Sequence, residues 1–292
     1  MSSIVCVGAS VLDISTKIGR RLPERGSLIF TDTVEISFGG CALNVASNLS
    51  RLGVRSKLIT KVGNDMFGDS IVNRCKELDI ELQRTDRSEL RTSLSQILLD
   101  ETGDRRIIHN IGANKSFSKD DIDLDMISQY EYVYFGGVLG MPLIDEQLEY
   151  LFSELKTRNK EIKIILDVIY SENVYSLNEV KRALKYVDYF VPNYSEARSL
   201  SSKTSLNSIT EDLLELGVKN LIITLGEDGV CYRNHSLFGF HKAVATKVQD
   251  TTGAGDAFVA GLIYGLLHDQ DFESSIVKGL EVASECVAKM TA

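Results

Sequence analysis

Apolar runs of strand length alternate with helix-period segments along most of the chain, the pattern of a parallel sheet covered by helices. Residues 4–7, 57–62, 132–135, 163–168, 189–191 and 221–224 read as central strands. They are mostly continuous apolar runs, as expected where both faces of a strand are buried. Helices are expected between them: residues 42–52 end at Gly53, residues 67–78 follow Gly63-Asn64-Asp65, and residues 143–158 carry Leu148, Leu151, Phe152 and Leu155 at helical spacing. The fold class is α/β.

Two stretches break this rhythm. Residues 28–38 and 93–111 read as antiparallel strands, the second folding at Glu101-Thr102-Gly103-Asp104 between runs of strand formers. So few strands cannot enclose a core of their own, so they are expected as a small β-sheet lid over one edge of the main sheet. The expected layout is one domain over residues 1–292, with lid strands inserted at about 14–38 and 91–112. An exposed lid sheet is a liability unless paired, which makes a homodimer through the lid the expected assembly.

Composition removes several classes of function. With 43% hydrophobic and 25% charged residues, the chain is neither disordered nor a disulfide scaffold. A formal charge of −9 disfavours an electrostatic grip on nucleic acid or an anionic membrane. No apolar run approaches the roughly 18–20 residues needed to span a bilayer, and no basic n-region precedes the first apolar run. The five cysteines are scattered without a C-x-x-C, which fits reduced thiols in a cytoplasmic protein. The four histidines form no H-x-x-x-H pair.

The chemistry concentrates in Asp250-Thr251-Thr252-Gly253-Ala254-Gly255-Asp256-Ala257-Phe258, which leads into an apolar helix over residues 257–267. Gly253 and Gly255 leave backbone uncovered at a helix start, where N–H groups lack intrahelical partners and the dipole favours an anion. An acid beside a phosphate cradle is unfavourable unless it has work there. A general base gives Asp256 that work, accepting a proton from an attacking hydroxyl. The other reading is a glycine turn with Asp256 as an acid complementing the helix dipole. Ala257, Gly261 and Gly265 form a small-residue stripe, expected to let this helix approach the sheet closely. A last helix over about 272–290 places Ile276, Leu280, Ala283 and Val287 on one face.

A second segment, Phe38-Gly39-Gly40-Cys41-Ala42-Leu43-Asn44-Val45-Ala46, again opens a helix with paired glycines. Asn44, one turn inside, offers a donor and an acceptor suited to polyol hydroxyls. Cys41 reads as a small residue beside the site. No P-loop and no dinucleotide fingerprint competes with these segments. Arg105 and Arg106 follow the lid turn on alternate faces and read as a solvated strand end; the other reading is that one of them points inward at an acidic or phosphorylated substrate.

Together, D-T-T-G-A-G-D-A-F and the upstream G-G-x-x-x-N-x-A resemble the paired signatures of the ribokinase-like (PfkB) carbohydrate kinases. Asp13 after the first strand, Asn193-Tyr194-Ser195-Glu196, and Thr224-Leu225-Gly226-Glu227-Asp228-Gly229 extend the likeness over nearly the whole chain. The resemblance implies a ribokinase-like fold and an ATP-dependent phosphotransferase acting on a hydroxyl of a sugar or sugar-like molecule. A nucleoside acceptor and a non-catalytic sugar or nucleotide sensor are the alternatives. By the same resemblance Asp256 is the catalytic base, and Gly253, Ala254 and Gly255 form the anion hole. Asp13, Gly39, Gly40 and Asn44 are sugar contacts. Asn193 and Glu196 organise Mg²⁺, and Thr224, Gly226 and Gly229 belong to the nucleotide site. Asp250 and the Thr252 carbonyl resemble a monovalent-cation (K⁺) site, which in the family a continuation past the position of Ala292 helps to complete. Asn193 and Glu196 also fit a helix-capping pattern, and Asp13 a simple turn residue.

Overall fold

Ile4 and Cys6 enter one apolar layer while Val5 and Val7 enter another, so the first strand is buried on both faces by its period of two. The structure, a computed structural model, describes residues 4–18, 22–83, 87–100, 105–169 and 177–288. The chain begins with β1 (Ile4–Gly8), β2 (Val11–Lys17), β3 (Val34–Gly39), α1 (Cys41–Arg51), β4 (Ser56–Ile59), α2 (Met66–Glu77) and β5 (Glu81–Leu82). There follow β6 (Leu94–Leu99), β7 (Arg105–Asn110), α3 (Leu124–Ile127), β8 (Tyr132–Val138), α4 (Pro142–Arg158) and β9 (Lys163–Val168). Next come α5 (Leu177–Ala183), β10 (Tyr189–Phe190), α6 (Tyr194–Leu200), α7 (Leu206–Glu215) and β11 (Asn220–Thr224). The last elements are β12 (Val230–Asn234), β13 (Phe238–His241), α8 (Ala254–Leu267) and α9 (Phe272–Val287).

The main sheet has the order β13-β12-β11-β10-β9-β8-β1-β4-β5. It is parallel from β5 to β11, and β12 and β13 are antiparallel. Side chains from α4, α5 and α7 fill the layer on one face. Those of α1, α2, α8 and α9 fill the other. From β1 the chain steps to β4 and β5 on one side, then returns to β8 and β9 on the other. That reversal places a switch point between β1 and β8, the crevice where open α/β sheets bind ligands. The two strands meet there through glycines: a Cβ on Gly8 would lie 2.0 Å from the Gly136 carbonyl oxygen.

The small sheet has the order β3-β2-β6-β7. Its outer pairings are antiparallel, as expected, but β2 and β6 at its centre run parallel. Of the stretch expected as strand over 28–38, only Val34–Gly39 pairs. Leu28 and Phe30 are 76% and 94% exposed, and without a partner strand that segment has no ladder to join. The turn expected at 101–104, the Arg105 side chain and the helix end at Met290 lie outside the described residues. No described helix is long and apolar enough to cross a membrane.

The small-residue stripe of α8 serves a different neighbour from the one expected. A Cβ on Gly261 would meet the Lys278 carbonyl oxygen at 2.7 Å and Gly279 Cα at 2.8 Å. On Gly265 it would meet Ser275 Cα at 2.7 Å. The stripe therefore faces α9 rather than the sheet, and Gly279 of α9 reciprocates by admitting the Phe258 ring. This close helix pair holds the N-terminus of α8 in place. Gly261→Val forces the two backbones apart and is expected to cost about 1–3 kcal/mol, measured as a lowered urea midpoint with an unchanged slope.

Candidate active site

Two helix starts converge beside the switch point. Gly40, in the left-handed region at φ 91°, precedes α1 with no room for a side chain: a Cβ would lie 2.5 Å from the Ala9 carbonyl oxygen. Gly253, at φ 75°, precedes α8, and no side chain caps that helix. A Cβ on Gly253 or Gly255 would touch nothing within 4 Å, so open space lies over these two glycines at the start of α8. First-turn amides facing such a space are an anion-binding arrangement.

Asp256 stands in that first turn. Asn44 of α1 donates from Nδ2 to Asp256 Oδ2 at 2.8 Å, joining helices 212 positions apart in sequence. The Cys41 thiol donates to the same carboxylate. Burial raises the Asp256 carboxyl to about 6, against the opposing hydrogen bonds of Asn44 and Cys41. A carboxylate poised there is charged at neutral pH yet basic enough to take a proton. Burial, then the charges of Asp256, Asp167 and Glu196, push the Cys41 thiol up, so it is a hydrogen-bond donor here and not a nucleophile.

Asp167 was not anticipated. It is the penultimate residue of β9, after the buried Ile164, Ile165 and Leu166, and one ligand atom each of Asp167, Asp256 and Cys41 lie within 4.8 Å of one another. Burial first, then the charges of Glu196 and Asp256, hold its carboxyl well above the usual carboxylate range. Tyr134 Oη donates to it at 3.2 Å. The available signal was an acid at the C-terminal end of an apolar strand, but only the fold brings it beside Asp256.

Asn193 and Glu196 form the capping box of α6: Glu196 N–H donates to Asn193 Oδ1 at 3.0 Å, and Asn193 N–H to Glu196 Oε2 at 2.6 Å. The capping reading is thus real, and Glu196 also acts on Asp167. Asn193 pairs with Thr224 in an isolated parallel bridge. Asn193, Thr224, Gly226, Leu206 and Asp228 line a cleft of about 530 Å³. Gly226 opens onto space, whereas a Cβ on Gly229 would lie 2.0 Å from the His241 carbonyl oxygen, which ties that glycine to the β12–β13 edge. Asp250 Oδ1 accepts from Thr252 N–H at 2.8 Å, and the Thr252 carbonyl receives the Cys286 thiol of α9 at 3.8 Å. Asp13, in β2, occupies the space that a side chain on Gly39 would fill, with a Cβ there 2.2 Å from Asp13 Oδ2.

The profile of the pfkB family carbohydrate kinases matches residues 1–292. The chain belongs to the pfkB family of carbohydrate kinases. Within this family it is similar to an uncharacterized sugar kinase of Archaeoglobus fulgidus, 30% identical over 82% of this chain and 94% of that one. Its fold matches the ribokinase of Thermotoga maritima with a TM-score of 0.85 at 26% identity, covering 100% of this chain and 95% of that one. Arabidopsis thaliana ribokinase, solved with ribose and ATP, matches with a TM-score of 0.84 at 25% identity over 100% and 95%. The pfkB chain is accordingly an ATP-dependent carbohydrate kinase with the ribokinase-like fold, its small sheet the lid.

The raised carboxyl of Asp256 carries a stability cost. The folded protein binds its proton more tightly than the unfolded chain, so the cost is absent below about pH 4, where both states are protonated, and grows with pH until it is complete above about 6. Asp256→Asn is therefore expected to stabilise the fold by about 1–3 kcal/mol at pH 8 and by little at pH 4, measured by chemical denaturation at both values.

Proposed function

We propose that Asp256 is the catalytic base of a sugar kinase, taking the proton of the acceptor hydroxyl while the amides of Gly253, Ala254 and Gly255 hold the transferring phosphoryl group. The observation that carries this reading is a half-buried carboxyl raised to about 6 in the first turn of a helix whose glycines open onto space. Phosphoryl transfer depends on positioning and charge stabilisation, and both helix starts supply them without any cationic side chain. Asn44 fixes the base by its Nδ2 bond, and Asp13, Gly39 and Gly40 border the acceptor site with it. ATP is assigned to the cleft lined by Asn193, Thr224 and Gly226, beside the Gly229 turn.

Mg²⁺ is a hard cation that takes carboxylate oxygens and water in preference to thiols. Asp167 fits it, because an acid held well above its ordinary range by desolvation and by the charges of Glu196 and Asp256 is relieved by a cation. Asp167 and Glu196, with Asn193, would hold the ion, which when bound neutralises phosphate charge. A monovalent cation at Asp250 and the Thr252 carbonyl belongs to the same proposal. The lid closes over the acceptor and excludes competing water.

A coupled ADP-release assay over a panel of sugars and nucleosides tests this reading, run in K⁺ and in Na⁺. Asp256→Asn should lower kcat by about 10²–10⁴-fold with little change in the KM for ATP. In the parent enzyme kcat should fall on the acid side of about pH 6, as the base becomes protonated. Unaltered turnover in the variant would remove the base assignment, and equal rates in the two salts would remove the monovalent cation.

The lid also supports a homodimer. On the lid face opposite Asp13, the register gathers Val34, Ile36 and Ile108, which are 58%, 61% and 60% exposed. A second copy of this apolar face would cover them. Ile36→Glu is expected to yield a monomer by light scattering in a concentration range where the parent chain is dimeric; a monomeric parent would exclude the dimer.

A further inference from the structure

The lid register aligns Ser37, Asp13, Ser95 and His109 in one row across its four strands. Side chains in such a row share one face of the sheet. The Ser95 hydroxyl bonds to Asp13, and its Oγ lies 3.1 Å from His109 Nδ1. An ionised carboxylate only accepts, so the single Ser95 proton goes to Asp13 and Ser95 Oγ is left to accept from Nδ1–H. That ordering fixes the imidazole tautomer and makes Nε2 an acceptor. Ser95 and the His109 charge favour ionised Asp13 against burial, while burial lowers His109 against the pull of Asp13. Ser95 is buried, and His109 at the end of the row is partly covered yet still opens to solvent.

The other charged positions of this face lie farther out. Glu35 sits one row beyond, opposite Ser15, and Lys17 and Arg105 belong to the row of Leu99 near the tip. At about 3.3 Å per residue, Lys17 is about 13 Å along the strand from Asp13. Near the ring, therefore, the row offers one acid and two hydroxyls, and Lys17, the described cation of this face, is remote.

We propose that Ser95 and His109 extend the acceptor site, with His109 Nε2 accepting a hydroxyl of a neutral polyol, so that the enzyme selects uncharged sugars over sugar acids and sugar phosphates. This rests on the reading that Asp13 contacts the acceptor. A sugar carboxylate or phosphate brings only acceptor oxygens to a lone pair and a carboxylate, and both repel it. A hydroxyl donates to Nε2 and loses nothing by entering.

The test is steady-state kinetics of the full chain at pH 8 with neutral aldoses and ketoses, the matching aldonic acids and the matching sugar phosphates. The parent enzyme is expected to have its highest kcat/KM on a neutral sugar. His109→Ala should raise the KM for that sugar about 3- to 10-fold and leave the KM for ATP unchanged. His109→Gln, whose amide oxygen also accepts, should recover part of the loss. Lowering the pH through the histidine titration should raise the same KM in the parent but not in His109→Gln. A parent enzyme with its highest kcat/KM on an acid or phosphate overturns the proposal, as does an unchanged KM in His109→Ala. Asp13→Asn separates the two levels of inference. If it leaves the acceptor KM unmoved, the acceptor-site reading itself fails; if it raises that KM while His109→Ala does not, only the extension fails.

Discussion

The hydrogen bond from Asn44 to Asp256 is the contact on which the site depends, because it closes the gap between two helix starts contributed by opposite ends of the chain. Neither helix N-terminus is distinctive alone. Their convergence at the carboxyl ends of β1 and β8 puts two positive helix ends around one half-buried carboxylate. The same burial that makes the charge costly moves its proton affinity toward neutrality. The energetic burden and the chemical usefulness of Asp256 thus have one cause.

Close approach is the structural means to this end. Gly8 against Gly136, Gly40 against Ala9, and Gly261 against Gly279 each remove a side chain where two backbones must nearly touch. The first two bring strand ends and the α1 start together. The third acts at a distance, letting α9 pack tightly along α8 so that the α8 N-terminus is held without a side-chain cap. Open space over Gly253 and Gly255 is the complementary case, since there the missing side chains leave room for a ligand instead of for protein.

The legible parts of this molecule were local ones. Asp250–Phe258 declares a glycine-opened helix with an acid in its first turn, and the continuous apolar runs declare a sheet buried on both faces. Asp167 was not legible, because its meaning comes from Glu196 and Asp256, which reach it from two other elements. The α8 stripe was legible as a close-packing surface but not as to its partner, since periodicity marks a face and says nothing of what covers it. Residues 28–33 contain strand formers without a ladder, and propensity has no means of reporting a missing neighbour. The short β12 and β13 escaped because their alternation is half polar and lies at the edge of the sheet.

Register governs the lid more strictly than composition does. With a period of two, one set of β2, β3, β6 and β7 side chains forms the row of Asp13, Ser95 and His109, and the other set forms the apolar face of Val34, Ile36 and Ile108. The parallel pairing of β2 with β6 decides which serine stands beside Asp13. A slip of one residue would replace Ser95 with Leu94 or Gln96 and turn the polar row away from the acceptor. Selectivity in the lid and its capacity to pair with a second copy are therefore two faces of one register, and a substitution that alters the pairing would disturb both together.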